Sequence, residues 1–444
     1  MKFIILCLSV ILLCTAVQAQ KVVVIRGPSQ PINPEMQKEI IDSVCNALNE
    51  VYVFPEKARQ MEKHLRDKFK NKAYQEIKDR VQFTMRLTDD LHEISKDGHL
   101  AVFELPPDDP ELTDPDDMTL EQRQKLLEEL AYDNFGFVRL ERLPGNIGYL
   151  RMDAFENTSM AGSTAIAAMN FLGHCDAIIF DLRHNGGGDP SMIQLISSYF
   201  FDEPVHLNSF YVRRTDSINQ FWTQAQVIGP RMTDVDIYIL TSSYTFSGAE
   251  EFTYNLKNLK RATVIGETTG GGAHPTAFRS FPNLNITMSL PFGRAINPIT
   301  GTNWEGTGVK PHIEVPQEQA LDVAVIEALK KLSEKAYSPE KEAQIEWVMM
   351  DRKAEMNRIN LDEEALIEYT GNYGPRKITL ENEGLYYQRE GGPKLPITPL
   401  GDDWFELKDR KHFRVQFVRD KSGRISEIVG HYIEGFTDRN KRDN

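Results

Sequence analysis

Three sequence patterns predict an α/β core between an N-terminal three-helix bundle and a small C-terminal all-β domain. Apolar residues recur at helical spacing up to about residue 97, short apolar strand runs alternate with helices from Gly136 to about Pro316, and period-two alternation takes over after residue 363. The 444 residues exceed one ordinary core, and 41% hydrophobic with 26% charged residues is the balance of a folding chain.

The leader comes first. Lys2 precedes an apolar run, Phe3 to Leu13, and Val17-Gln18-Ala19 supplies small residues for cleavage, so residues 1–19 read as a removable signal peptide. The run is shorter than the roughly 20 apolar residues a membrane span needs. The expected location is therefore exported, periplasmic or extracellular. Lipid attachment at Cys14 is the lesser alternative, because bulky Leu13 stands where such processing wants a small residue. Beyond the leader only Cys45 and Cys175 remain, both in apolar stretches, which predicts buried thiols rather than a disulfide framework. A net charge of −14, with no basic cluster interleaved with aromatics, excludes nucleic acid as a partner.

Residues 32–97 read as the helical bundle, from Ile40, Ile41, Val44, Leu48 and Val51, then Met61, Leu65 and Phe69, then Ile77, Val81, Phe83, Leu87, Leu91 and Ile94. Gly98 breaks that pattern, and Leu100 to Leu105 reads as a strand opening a core over 98–335. An acidic insertion at 106–130 combines a Pro- and Asp-rich stretch with a charged surface helix, Leu120 to Leu130. Within the core, strands are expected at Ile147 to Met152, Ala177 to Leu182, Ile237 to Thr241 and Ala262 to Ile265, and helices at Met160 to Leu172, Ser191 to Phe200 and Ser247 to Lys257. That alternation places chemistry in loops at the carboxyl ends of the strands. A charged connector, 336–362, leads to a β domain over 363–444, for which the sequence suggests no role.

Two loops carry the candidate chemistry. The Ile237 strand runs through small residues to Ser247, where a helix begins, so the Ser247 hydroxyl and the Gly248 amide sit at a positive helix N-terminus. A serine there is most often a cap; a nucleophile wants the same place. The strand ending Asp181-Leu182-Arg183 is followed by Gly186, Gly187 and Gly188, whose amides can approach a ligand with no Cβ in the way. Such a loop suits an oxyanion hole, and it lacks the Lys-Ser/Thr of a phosphate-binding loop. A base is needed, and His99, in a Gly-His turn at a domain junction, is preferred over His92, His184 and His274. No HExxH or similar cluster occurs, so neither metal nor other cofactor is expected.

The motifs Asp97-Gly98-His99, Asp181-Leu182-Arg183-His184-Asn185-Gly186-Gly187-Gly188, Thr245-Phe246-Ser247-Gly248-Ala249-Glu250, Gly266-Glu267-Thr268-Thr269-Gly270 and Trp304-Glu305-Gly306-Thr307-Gly308-Val309-Lys310-Pro311 together resemble the tail-specific, or C-terminal processing, serine peptidases. The resemblance spans about residues 35 to 320 and lies with the branch of the tricorn core and interphotoreceptor retinoid-binding protein modules. It implies a ClpP/crotonase-like sheet-and-helix core. The Ser-Lys dyad of the processing branch is missing, because Gly272 matches its lysine and no lysine occurs in 266–274. The tricorn-like branch implies instead Ser247 as nucleophile, His99 as base and Glu305 as the carboxylate that orients it. Gly187 and Gly248 would form the oxyanion hole, and Gly186, Gly188, Gly270 and Gly271 would bind substrate. Only about forty residues separate His99 from Leu143, too few for the PDZ domain of many relatives. The expected activity is cleavage of peptides or protein tails through an acyl-enzyme. The alternative is a non-catalytic binder of apolar ligands on the same scaffold. Oligomeric state is not legible in the sequence.

Overall fold

The computed structural model describes residues 30–105, 119–336, 338–356, 360–382 and 384–443. The expected signal peptide, Cys14 and residues 106–118 of the acidic insertion lie outside them.

Three helices open the chain: α1 (Pro34–Val51), α2 (Pro55–Lys70) and α3 (Arg80–Ser95). Asn33 and Asp79 cap α1 and α3 by accepting from Met36 N and Gln82 N, and Pro34 and Pro55 occupy first-turn positions where a missing N–H costs nothing. After β1 (Ala101–Glu104) comes α4 (Leu120–Tyr132), which has a capping box and no buried residue, as its charge pattern predicts.

The core follows as β2 (Phe137–Leu143), β3 (Ile147–Met152), α5 (Thr158–Leu172), β4 (Ala177–Asp181), α6 (Pro190–Ser197), β5 (His206–Val212), β6 (Ser217–Trp222), β7 (Asp236–Thr241), α7 (Gly248–Asn258), β8 (Ala262–Gly266), β9 (Thr276–Phe281), β10 (Ile286–Pro291), β11 (Gly293–Ile296) and β12 (Ile313–Glu314). The central sheet has the order β12-β8-β7-β4-β3-β2, parallel except for the antiparallel edge pair β2–β3. Alternate residues of its apolar strands face opposite layers. Ile178, Phe180, Ile237 and Ile239 pack with α5, α6 and α7 through Met169, Ile193 and Phe252. Ala177, Ile179, Tyr238 and Leu240 pack with α8 (Ala320–Glu334) through Ala324, Val325 and Leu329. Burial on both faces explains why these strands read as continuous apolar runs.

Two smaller sheets, β1-β10-β9 and β11-β5-β6, were not expected. The first alters the domain division: Leu100, Val102, Ile286, Met288 and Leu290 share one core with Ile40, Val44, Leu65, Phe83 and Leu91. The helical segment is thus closed by a hairpin from beyond residue 275. The connector also differs, since it contains α9 (Pro339–Met356), of which only Ile345 and Trp347 are buried. After α10 (Glu363–Tyr369), eight antiparallel strands between Gly371 and Lys441 follow in simple meander order around Tyr373, Phe405, Val415, Phe417 and Ile428. Cys45 and Cys175 are buried free thiols. Among the described residues no helix is long and apolar enough to cross a membrane.

Candidate active site

The loops after β4, β7 and β8 meet at the carboxyl edge of the parallel strands, and hydrogen bonds stitch the first two together. Ser242 Oγ donates to Arg183 O at 2.5 Å, Thr245 Oγ1 to Leu182 O at 2.8 Å, and Phe246 N to Asn185 O at 3.1 Å. Asp181 is held in turn by Arg183 Nε (2.8 Å) and Tyr149 Oη (2.6 Å). These small hydroxylated residues are the reason the turn before Ser247 is so tight.

Ser247 has φ 53° and ψ −119°, a conformation that costs a non-glycine residue about 1–3 kcal/mol and that clusters at functional sites. It caps the amino end of α7, half-buried, on a strained strand-to-helix turn like those that expose nucleophiles elsewhere. Glu250 pins that turn: it accepts from Ser247 N (3.0 Å), Gly271 N (2.7 Å), Gly272 N (2.8 Å) and Thr269 Oγ1. Burial pushes the Glu250 carboxyl up to about 7 against the pull of those donors. Sequence reasoning gave Glu250 no role, although Ser-x-x-Glu is the spacing of a reciprocal helix cap.

The glycines divide into two groups. The amide of Gly187 donates to Asn185 Oδ1 at 2.8 Å, so it is not free to hold an oxyanion as expected. Its role is room: with φ +108°, a methyl there would lie 2.7 Å from both Gly248 N and Ser247 Cβ. The amides of Gly188 and Gly248 are paired with no acceptor among the described residues, and these two glycines are in close contact, a Cβ on Gly248 falling 3.0 Å from Gly188 N. Gly186 and Gly188 are exposed. Gly270 and Gly271 depart from expectation, because their amides are used internally on Thr245 O (3.0 Å) and Glu250. Gly271, with Gly272, builds the Glu250 cradle instead.

His99 lies between α3 and β1, behind the left-handed Lys96 that ends α3. Its ring packs on the ring of Phe246, the residue before Ser247, with centroids 4.6 Å apart. Burial pushes the imidazole down to about 4, with the His274 charge adding to that and Asp97 opposing it. Its Nδ1 is buried with no partner among the described residues, and so is Glu305 Oε1. One ring nitrogen of His99 and one carboxylate oxygen each of Asp97 and Glu305 lie within 4.8 Å of one another. Trp304, buried beside Tyr254, donates Nε1 to Gly272 O at 2.7 Å and so delivers Glu305, whose Oε2 accepts from Ala273 N at 2.6 Å. Burial and then the Asp97 charge push the Glu305 carboxyl up to about 7, and His274 opposes them.

His274, a rival base by sequence, instead faces carboxylates, with Nδ1 2.7 Å from Asp97 Oδ2 and 3.5 Å from Glu305 Oε2. His92 bonds Leu100 O at 2.6 Å. Asp97 accepts from Tyr52 Oη (3.1 Å) and His99 N (3.1 Å). A second acidic and histidine group, His64, Asp90 and Glu93, is bridged by the Lys68 ammonium at 2.6 Å from Asp90 and 3.0 Å from Glu93, which supplies the cation locally.

Residues 146–315 match the family model for peptidase family S41, and residues 19–134 match that for the N-terminal domain of peptidase S41 in eukaryotic IRBP. A tricorn-like protease C-terminal subunit of Sulfurisphaera tokodaii is 27% identical over 207 residues, 44% of this chain and 22% of that protein. The chain thus spans less than a quarter of that curated relative. Among solved structures, a peptidase from Parabacteroides merdae superposes with TM-score 0.48 at 19% identity, over 69% of this chain and 100% of that one. The photosystem II D1 C-terminal processing protease superposes with TM-score 0.40 at 14% identity, over 64% and 94%.

Proposed function

Because the chain belongs to peptidase family S41, we propose that it is an exported serine peptidase that cleaves peptides or protein tails with Ser247, His99 and Glu305. The observation that carries the reading is the strained Ser247 at the start of α7 with the His99 ring on its neighbour Phe246 and the Glu305 carboxylate within reach of that ring. A nucleophile, a base and an orienting carboxylate are the parts acyl transfer requires.

In this mechanism His99 takes the hydroxyl proton as Ser247 Oγ bonds to the scissile carbonyl carbon. The resulting oxyanion is received by the free amides of Gly248 and Gly188, in the field of the α7 terminus. The imidazolium, stabilised by Glu305, then protonates the departing amine as the C–N bond breaks. Water, deprotonated by the same ring, releases the acyl group and restores Ser247. A neutral, buried His99 is ready to accept a proton at physiological pH.

A fluorophosphonate probe tests the assignment: it should label the wild type at Ser247 and leave Ser247→Ala unlabelled, and mixed peptides should be cut by the former alone. Absence of labelling in a folded wild type would turn the assignment to the alternative, a binder of apolar ligands. Export is proposed on the leader at 1–19 and is tested by N-terminal sequencing of the protein from cell fractions; an intact Met1 in a cytoplasmic fraction would refute it.

A further inference from the structure

We propose that His274 is a positioning residue for this reaction, a buried imidazolium that bridges Asp97 and Glu305, favours the ionised form of the Glu305 carboxylate and aims it at His99. The proposal rests on the peptidase reading above and deepens it.

Geometry is the first support. The His274 side chain is 5% exposed and its partner Asp97 1%, so their 2.7 Å contact is a desolvated one, where a charged hydrogen bond is strong and an unpaired charge costly. His274 Nδ1 is the atom facing both carboxylates, at 2.7 and 3.5 Å. The ring is packed edge-on by Phe54, with centroids 5.4 Å apart. Its chain neighbour Ala273 donates to Glu305 Oε2, so one short segment supplies Glu305 with both an amide and a cation. Glu305 Oε1 is thereby left unpaired, as is Nδ1 of His99.

Charge is the second. Two carboxylates packed together cannot both stay ionised in a buried site unless a cation stands between them. With His274 charged, the group of Asp97, Glu305 and His274 carries one net negative charge, which the imidazolium form of His99 neutralises during turnover. Among the described residues the ionisable neighbours are Tyr52, just past α1, which donates to Asp97, His99, Arg294 of β11, which opposes the His274 charge, and Glu250 of α7, which repels Glu305. Burial acts against the His274 charge, but Asp97 and then Glu305 raise its affinity for a proton above the ordinary histidine range.

Two measurements on the full mature chain decide the matter. Peptide turnover against pH should show that His274→Gln lowers kcat on the order of tenfold with KM nearly unchanged. It should also move the acid limb up by about one pH unit, because Glu305 then loses its cation. In a Glu305→Gln background the same substitution should cost nothing further. An unmoved acid limb, or full additivity with Glu305→Gln, would overturn the proposal, since a merely structural histidine gives that pattern. The second measurement is the NMR titration of the His274 ring in Ser247→Ala protein, which needs neither activity nor a variant at position 274. A ring still protonated at pH 7, and losing that proton in Asp97→Asn, supports the bridge; a ring neutral at pH 7 refutes it. If the wild type fails to react with fluorophosphonate while the ring is charged, the peptidase reading has failed and the ionic bridge has not.

Discussion

Adding one methyl group at Gly272 should slow acylation about a hundredfold. Gly272 is pinned on both sides, its N–H on Glu250 Oε2 at 2.8 Å and its carbonyl receiving Trp304 Nε1 at 2.7 Å, so the loop cannot retreat. A Cβ there would fall 2.6 Å from His99 Cε1 and 2.2 Å from Phe246 Cζ. Ordinary carbon contact begins near 3.5 Å, so the His99 ring must recede by roughly 1 Å. A misplacement of about that size at a reacting group costs on the order of 100-fold in rate, or about 2.7 kcal/mol of barrier. The φ of Gly272 is not in the left-handed region, so backbone strain adds nothing, and overpacking costs roughly 1–3 kcal/mol of stability. The assay is the rate of fluorophosphonate acylation at Ser247, with a melting curve to confirm folding. Gly162→Ala in α5 serves as control, because its methyl would meet only Thr158 Cβ, at 3.6 Å. A folded Gly272→Ala enzyme that acylates within threefold of wild type would show that His99 is not the base.

Three further outcomes are expected. Glu250→Gln sets an amide NH₂ against backbone donors and should lower unfolding stability by about 1–3 kcal/mol in denaturant melts, with acylation falling as the Ser247 turn loosens. His99, held down to about 4 when folded, takes up a proton more readily unfolded, where its value is near 6.5. Its contribution to stability is therefore complete above pH 6.5 and is lost as pH falls toward 4, roughly 3 kcal/mol in all, and His99→Asn should flatten that slope in melts taken across the window. Trp347→Ala should loosen the C-terminal β domain: the Arg414 guanidinium lies 3.9 Å over its ring and Trp347 Nε1 donates to Lys411 O at 3.1 Å. A loss of about 3–5 kcal/mol is expected, read as faster proteolysis of residues 363–444.

Strands β3, β4, β7 and β8 were legible because both of their faces are buried, and a continuous apolar run needs no knowledge of neighbours to be recognised. β5 is largely buried, β6 largely exposed and β9 half-buried throughout, so none of them shows a clean two-residue alternation and their pattern appears only once their partners are known. α9 reads as a connector in the sequence because just two of its residues are buried. At the site, residue types were readable and hydrogen-bond assignments were not. Three glycines in a row announce backbone approach, but which amide stays free depends on where Asn185 points, a tertiary fact. His274 looked like a competing base because its carboxylate partners, Asp97 and Glu305, are remote in sequence.

The hairpin β9–β10, buried against the amino-terminal helices, has a bearing on biosynthesis. A ribosome delivers His99 long before Ser247, and Glu305 last of the three, so no nascent fragment ending earlier owns the whole set. Closure of the first core itself waits for residues 286–290. The proposed triad therefore cannot assemble until residue 305 of the 444 has been made, about two thirds of the way along the chain.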